Sequence, residues 1–253
     1  MSATSRPREF LTGIGLLGKG LAVYARSPGL VILGMLPALI SFVVLLGAFL
    51  LVLYFIGPES RALTWFANGW QKDARDLIRL LAAIAILGLF AVLSIVFYTG
   101  LTLAIGDPFY EKISVRVEAR YGGLPNAVDL PWWKELRRNL GESIRLVIFS
   151  VIVAALLFVG GLLPAVGQTV VPVIAALIGG WALTVELTGI AFARRGLFLR
   201  ERRRMLRQRR WLALGFGVAV FVCFLIPLGA VLVMPAAVAG ATLLTRHVHG
   251  QPV

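Results

Sequence analysis

Positive charge set beside a helix start is the chemistry this sequence offers most openly. Arg26 stands two residues before Pro28-Gly29-Leu30, at the head of a long apolar run. Such a run predicts a helix whose first amides, those of Gly29 and Leu30, point out of its N-terminus, where the dipole favours an anion. Glu186 is the one carboxylate well inside an apolar segment, and an ionisable group at membrane depth marks function by default; it is a candidate gating or coupling residue. Nine arginines and one glutamate crowd residues 194–211, a block that would meet anionic lipid headgroups.

Other chemistries find no support. The run Gly13-Ile14-Gly15-Leu16-Leu17-Gly18-Lys19-Gly20 matches G-x-G-x-x-G and nearly a P-loop. A P-loop needs Ser or Thr after the lysine, and both motifs need a preceding strand; position 20 is Gly, so nucleotide binding is not expected. His247 and His249 sit in a polar tail and Cys223 in an apolar run. No nucleophile–base pair and no metal-ligand spacing results, so the expectation is a protein that is not an enzyme, without cofactor or metal. A single cysteine allows no internal disulfide framework.

The 253 residues are 59% hydrophobic and only 15% charged, with a mean hydropathy of +0.89. That is more apolar surface than one soluble core can hide. The formal charge of +13 is gathered in short segments beside apolar runs, a pattern that sets membrane topology and argues against nucleic acid as partner. The expected class is an all-α integral membrane protein, one membrane domain over residues 1–253.

Its elements follow in order. Residues 1–29 predict an amphipathic interfacial helix with Phe10, Ile14, Leu17, Leu21 and Tyr24 on its apolar face; its glycines and Lys19 break the uninterrupted core a cleaved signal peptide needs. Residues 30–56 and 80–106 are charge-free spans, the first with a kink expected at Pro37. Between them, 57–79 reads as a polar loop carrying Trp65 and Trp70 at the depth of an interfacial aromatic belt. Residues 107–145 predict a cytoplasmic amphipathic segment, with Ile113, Val117 and Tyr121 on one helix, the breaker Gly122-Gly123-Leu124-Pro125, and Leu136, Leu140 and Ile144 on a second, near Trp132 and Trp133. Residues 146–193 are too long for one crossing and predict a helical hairpin turning near Pro164, Gly167 and Gln168. The basic loop 194–211 follows. Then 212–244, split by Pro227-Leu228-Gly229 and Pro235, is either one kinked span or a re-entrant pair.

Lys and Arg number four before the first span, four in the first loop, seven in 107–145, none at the Pro164 tip and nine in 194–211. An N-terminus and basic loops on the cytoplasmic side satisfy the positive-inside rule.

Several stretches, in order along residues 10–245, resemble the CysZ family of sulfate permeases and the related etoposide-induced membrane proteins. They are Ser27-Pro28-Gly29-Leu30 with Leu36-Pro37; Pro108-Phe109 leading into Val117-Glu118-Ala119-Arg120; Val166-Gly167-Gln168-Thr169-Val170-Val171-Pro172; and Ile226-Pro227 through Val233-Met234-Pro235-Ala236 to Gly240-Ala241-Thr242. The resemblance implies two long transmembrane helices, two helical hairpins that partly penetrate the bilayer, a homo-oligomer in the bacterial plasma membrane, and uptake of sulfate or a related small anion without ATP hydrolysis. It marks Pro108, Phe109, Glu118 and Gln168 as family-pattern positions. It also implies an anion site at the Pro-Gly turn, for which this chain keeps Arg26 and the amides of Gly29 and Leu30 as candidates, while the family's arginines after that turn are here Val31 and Ile32. That loss keeps a second expectation open, a non-transporting membrane protein that organises partners or anionic lipids.

Overall fold

The computed structural model describes residues 6–124, 127, 151–161, 166–226 and 228–253. Among them every element is helical: α1 (Arg6–Ala25), α2 (Pro28–Leu63), α3 (Lys72–Arg120), α4 (Val151–Gly161), α5 (Val166–Leu187), α6 (Gly189–Ala193), α7 (Leu199–Gln208), α8 (Arg210–Phe224) and α9 (Gly229–Val248). Four helices, in α2, α3, α5 and α9, are long and apolar enough to cross a membrane. The all-α membrane class read from the sequence is the class observed.

The chain forms two units, Ile32–Phe109 and a second made of Met1–Val31 with Tyr110–Val253. In the first, the most apolar windows of α2 and α3 have a mean hydropathy of 2.9 and are only 6% and 0% buried. Helices that apolar and that exposed require hydrocarbon as their solvent. They meet through Phe49 and Phe90, whose rings lie 5.7 Å apart, and at the polar end Arg79 donates to Asn68 Oδ1 at 3.0 Å. The stretch 57–79 is less of a loop than its polarity predicts: α2 continues through Pro58 to Leu63, a 3-10 turn takes Trp65–Ala67, and α3 starts at Lys72. Likewise Pro108 does not end a helix. It costs α3 one backbone hydrogen bond, but the helix persists to Arg120, so the helix expected around Ile113 and Val117 is the continuation of α3 rather than a separate element.

The second unit is held together by glycines. A Cβ on Gly13 would strike the backbone of Leu212 and Phe216, one on Gly215 the backbone of Phe10, and one on Gly20 the backbone of Ala236 and Gly240. Those contacts dock α1 on α8 and α9. Gly180 and Gly217 bring α5 against α8 in the same manner, and the Thr184 hydroxyl, 3.0 Å from the Gly180 carbonyl in its own helix, reaches the Ala213 carbonyl of α8 at 2.8 Å. Small residues at crossings let backbones approach, which is how helices associate where lipid removes the hydrophobic drive. Helix α9 is the centre: its apolar window is 78% buried, in contrast to α2 and α3.

The buried face of α1 is Gly13, Leu16, Gly20 and Val23, while Ile14 and Leu21 are exposed. Ile14 and Leu21 of the apolar stripe therefore lie away from the packing face, which is selected by absence of side chain rather than by apolar side chain. The block 194–211 is not a loop, since 199–208 form α7. Residues 212–244 are divided between α8, which ends at Phe224, and α9, which starts at Gly229, with Leu228 in the left-handed region at φ 61°. Residues 146–193 contain α4 and α5, and a Cβ on Gly167 would meet the Gly161 backbone. Leu136, Leu140, Ile144, Trp132, Trp133, Pro125, Pro164 and Pro227 lie outside the described residues.

The glycine crossings generate a prediction. Gly217→Ala overpacks the α5–α8 crossing and should cost about 1–3 kcal/mol, read as a lower thermal midpoint in detergent. Gly18→Ala, where the added methyl meets open space, should be neutral or gain up to about 1 kcal/mol in helix propensity.

Candidate functional site

The C-terminal turns of α3 carry the chemistry of the second unit on two opposite faces. Tyr110, Ile113, Ser114, Val117 and Glu118 are all buried, at the spacing of one helix face. Ser114 accepts from the Thr242 hydroxyl of α9 at 2.9 Å. One turn on, the same face ends in a carboxylate. Glu118 is 2% exposed and is gripped by two arginines, Arg195 Nη1 on Oε1 at 2.7 Å and Arg246 Nη1 on Oε2 at 2.6 Å, both side chains themselves 5% exposed or less.

Two cations and one anion leave a charge of +1 where burying any charge is costly. Backbone carbonyls at helix ends offset it. Arg246 donates to the carbonyls of Gly123 at 3.2 Å, Tyr121, and Pro252 at 3.0 Å. Arg195 donates to the Ala191 carbonyl at 2.8 Å and to Gln251 Oε1 at 2.8 Å. The carbonyls of Tyr121 and Gly123 lie just past the end of α3, and that of Ala191 in the last turn of α6, where the helix dipole is negative and favours cations. His249, expected in a solvated tail, is half-buried instead: its ring centroid is 5.3 Å from that of Phe192, and its Nδ1 lies 2.7 Å from the Thr245 carbonyl, so that nitrogen carries the proton.

The other face of α3 holds Arg116 and Arg120, both exposed. Arg116 Nη1 donates to the Gly29 carbonyl at 3.0 Å and Arg120 Nη1 to Ser27 Oγ at 2.8 Å. Both bonds end on the turn between α1 and α2. Arg26, also exposed, is the next residue along that turn. Tyr24 steadies it from α1, its hydroxyl donating to the Val31 carbonyl at 3.3 Å; burial pushes this phenol above its ordinary pKa, so it remains a donor. Each guanidinium has five N–H groups, and one contact with the turn leaves most of them for an anion. Arg116 and Arg120 at i and i+4 repel each other, and a bound anion relieves that repulsion.

Of the residues singled out from sequence, Arg26 and Gly29 are exposed at this turn. Leu30 does not serve as an open amide donor: its N–H is bound to the Ser27 carbonyl at 2.8 Å and the residue is 5% exposed. Glu186 is exposed in the last turn of α5, and Gln168 is exposed in the first turn of the same helix. Pro108 and Phe109 lie within α3, in the other unit. Arg116, Arg120, Arg195 and Arg246 were missed. Arg116 and Arg120 carried a readable signal, two like charges at i and i+4 flanking a carboxylate on the opposite, apolar face.

Residues 16–235 match the family described as "Sulfate transporter CysZ/Etoposide-induced protein 2.4". The chain belongs to the CysZ family. CysZ relatives align along nearly the whole length: a protein named sulfate transporter CysZ from Pseudomonas paraeruginosa is 30% identical over 247 residues, 95% of this chain and 97% of the relative. One of the same name from Pseudomonas fluorescens strain Pf0-1 is 29% identical over 244 residues, 94% of each. For this CysZ-family chain the buried triad sets a test. Glu118→Gln strands two buried guanidinium groups and should cost about 3–5 kcal/mol, seen as a large drop in thermal midpoint, whereas Glu111→Gln, at an exposed position two turns away, should leave it unchanged.

Proposed function

We propose that this protein is a membrane permease for sulfate or a related small anion, not driven by ATP, with the anion held at the α1–α2 turn by Arg26, Arg116 and Arg120. The observation that carries the reading is the convergence of Arg116 and Arg120 on the turn at Gly29 and Ser27. Where relatives' resemblance calls for arginines at 31 and 32, this chain has Val and Ile; the guanidinium groups come from α3 instead. Three cations beside the N-terminus of a 36-residue helix suit a small, doubly charged oxyanion, because charge-assisted hydrogen bonds are about twice as strong as neutral ones and the helix dipole adds to them. The relatives named sulfate transporters support the same substrate class.

In this reading the N-terminus and the basic segments lie on the cytoplasmic side, where the positive-inside rule puts them. The apolar unit Ile32–Phe109 spans the bilayer and offers its outward faces to lipid or to further copies of the chain, making a homo-oligomer the expected assembly.

Radiolabelled sulfate flux into proteoliposomes tests the permease. Saturable uptake, suppressed by excess unlabelled sulfate, is expected; flux equal to that of empty vesicles from folded protein would overturn the proposal and favour a protein that organises partners without transport. Arg116→Ala with Arg120→Ala should raise the half-saturating sulfate concentration at least about tenfold, since each hydrogen bond to a charged group is worth roughly 1.5–3 kcal/mol. Unaltered half-saturation in a variant with a normal thermal midpoint would place the anion elsewhere.

A further inference from the structure

The arginine block has a shape that its composition does not convey. Helix α7 is ten residues long, Leu-Arg-Glu-Arg-Arg-Arg-Met-Leu-Arg-Gln, and its two faces differ sharply. Leu206 is fully buried and seats the helix, and α7 contacts α5, α6 and α8. Arg200, Arg204 and Arg207 are exposed; at 3.6 residues per turn they fall within about 60° of one another, forming a single stripe. Arg202 is turned away, its guanidinium lying where a Cβ on Gly189 would be. Of the acidic groups that meet the block, Glu118 is held by Arg195 and Arg246, Glu9 is spent on Arg209 at 3.8 Å, and Glu201 is exposed on the same helix about 60° outside the stripe.

The stripe also lies between two apolar helices. Apolar α5 ends at Leu187 before α7 begins, and apolar α8 starts at Arg210 directly after it. The Arg210 guanidinium sits 5.7 Å from the Trp211 ring, a cation and an amphipathic aromatic at a helix entry, as at a headgroup boundary. Three guanidinium groups in line, with no carboxylate between them, at the mouth of a membrane helix match a row of lipid phosphates.

We propose that α7 is an anionic-lipid docking helix whose Arg200–Arg204–Arg207 stripe binds the phosphates of acidic phospholipids, with Arg210 and Trp211 at its membrane end. Arg200 and Arg207 stand about 10 Å apart along the axis, so the stripe engages more than one phosphate at once. This proposal is independent of what the protein transports.

The test uses the full-length protein purified in a neutral detergent, titrated with phosphatidylglycerol or phosphatidylcholine in mixed micelles, with lipid retention read by native mass spectrometry and thermal midpoint followed in parallel. Phosphatidylglycerol should bind and stabilise, phosphatidylcholine should not, and the effect should fall with added salt. Arg200→Gln/Arg204→Gln/Arg207→Gln should weaken phosphatidylglycerol binding on the order of a hundredfold, a factor of roughly five per arginine near an anionic surface. The corresponding triple Lys variant should retain most of it, and because all three side chains are exposed the lipid-free midpoint of both variants should match the parent. Equal phosphatidylglycerol retention by the Gln variant overturns the proposal. So does inorganic phosphate or a short oligonucleotide competing fully with the lipid at equal phosphate concentration, which would make the stripe a general polyanion site.

Discussion

The contact on which the second unit depends is the carboxylate of Glu118 between Arg195 and Arg246. A carboxylate buried at the end of an apolar face is tolerable only with partners at hydrogen-bond distance, and two guanidinium groups need acceptors beyond one carboxylate. The surrounding fold provides these acceptors: carbonyls past the end of α3, in the last turn of α6, and in the tail after α9. Segments far apart in the chain, at 118, 195 and 246, are therefore fixed at one point. Because Glu118 and the pair Arg116 and Arg120 occupy opposite faces of the same helix end, the knot also sets where those two arginines stand relative to the α1–α2 turn.

The two units rest on different physics. In Ile32–Phe109 the helices are apolar all round and nearly unburied, so lipid does the work of a core. The other unit places backbone against backbone at Gly13, Gly20, Gly180, Gly215 and Gly217, and contacts among carbonyls, amides and Cα atoms replace interdigitated side chains. It keeps its polar groups inside, with Thr184, Thr242 and Ser114 bonded across helices.

How much of this was legible in the sequence depended on the length scale of the signal. Long charge-free runs announced the membrane class, and the broken hydropathy of 212–244 showed that something interrupts it. Residue order carried the family resemblance. Three things did not show. The packing face of α1 was hidden because glycine counts for nothing in a hydrophobic pattern, so the periodicity showed only the apolar stripe with Ile14 and Leu21, outside that face. Helix α7 was hidden because arginine density reads as a solvated loop, although arginine is a good helix former. The partners of Glu118 were hidden because Arg195 and Arg246 lie 77 and 128 positions away from it in the sequence, beyond any local periodicity. Glu186, marked by its apolar neighbours in sequence, is exposed in the last turn of α5.

The glycine seam between α1 and α8 has a consequence for biogenesis. Gly13 rests on Leu212 and Phe216, residues translated about 200 positions later, which at ribosomal speeds of about 5–20 residues per second is a delay of roughly 10–40 s. Throughout that interval α1 has been made and its docking groove has not. The face it will later dock is lined by glycine and small aliphatic groups, while Leu11, Ile14 and Leu21 are exposed on its outer side. An amphipathic helix of that kind can wait on the bilayer surface with its apolar side in the lipid, and the finished unit then closes around it from the C-terminal end of the chain.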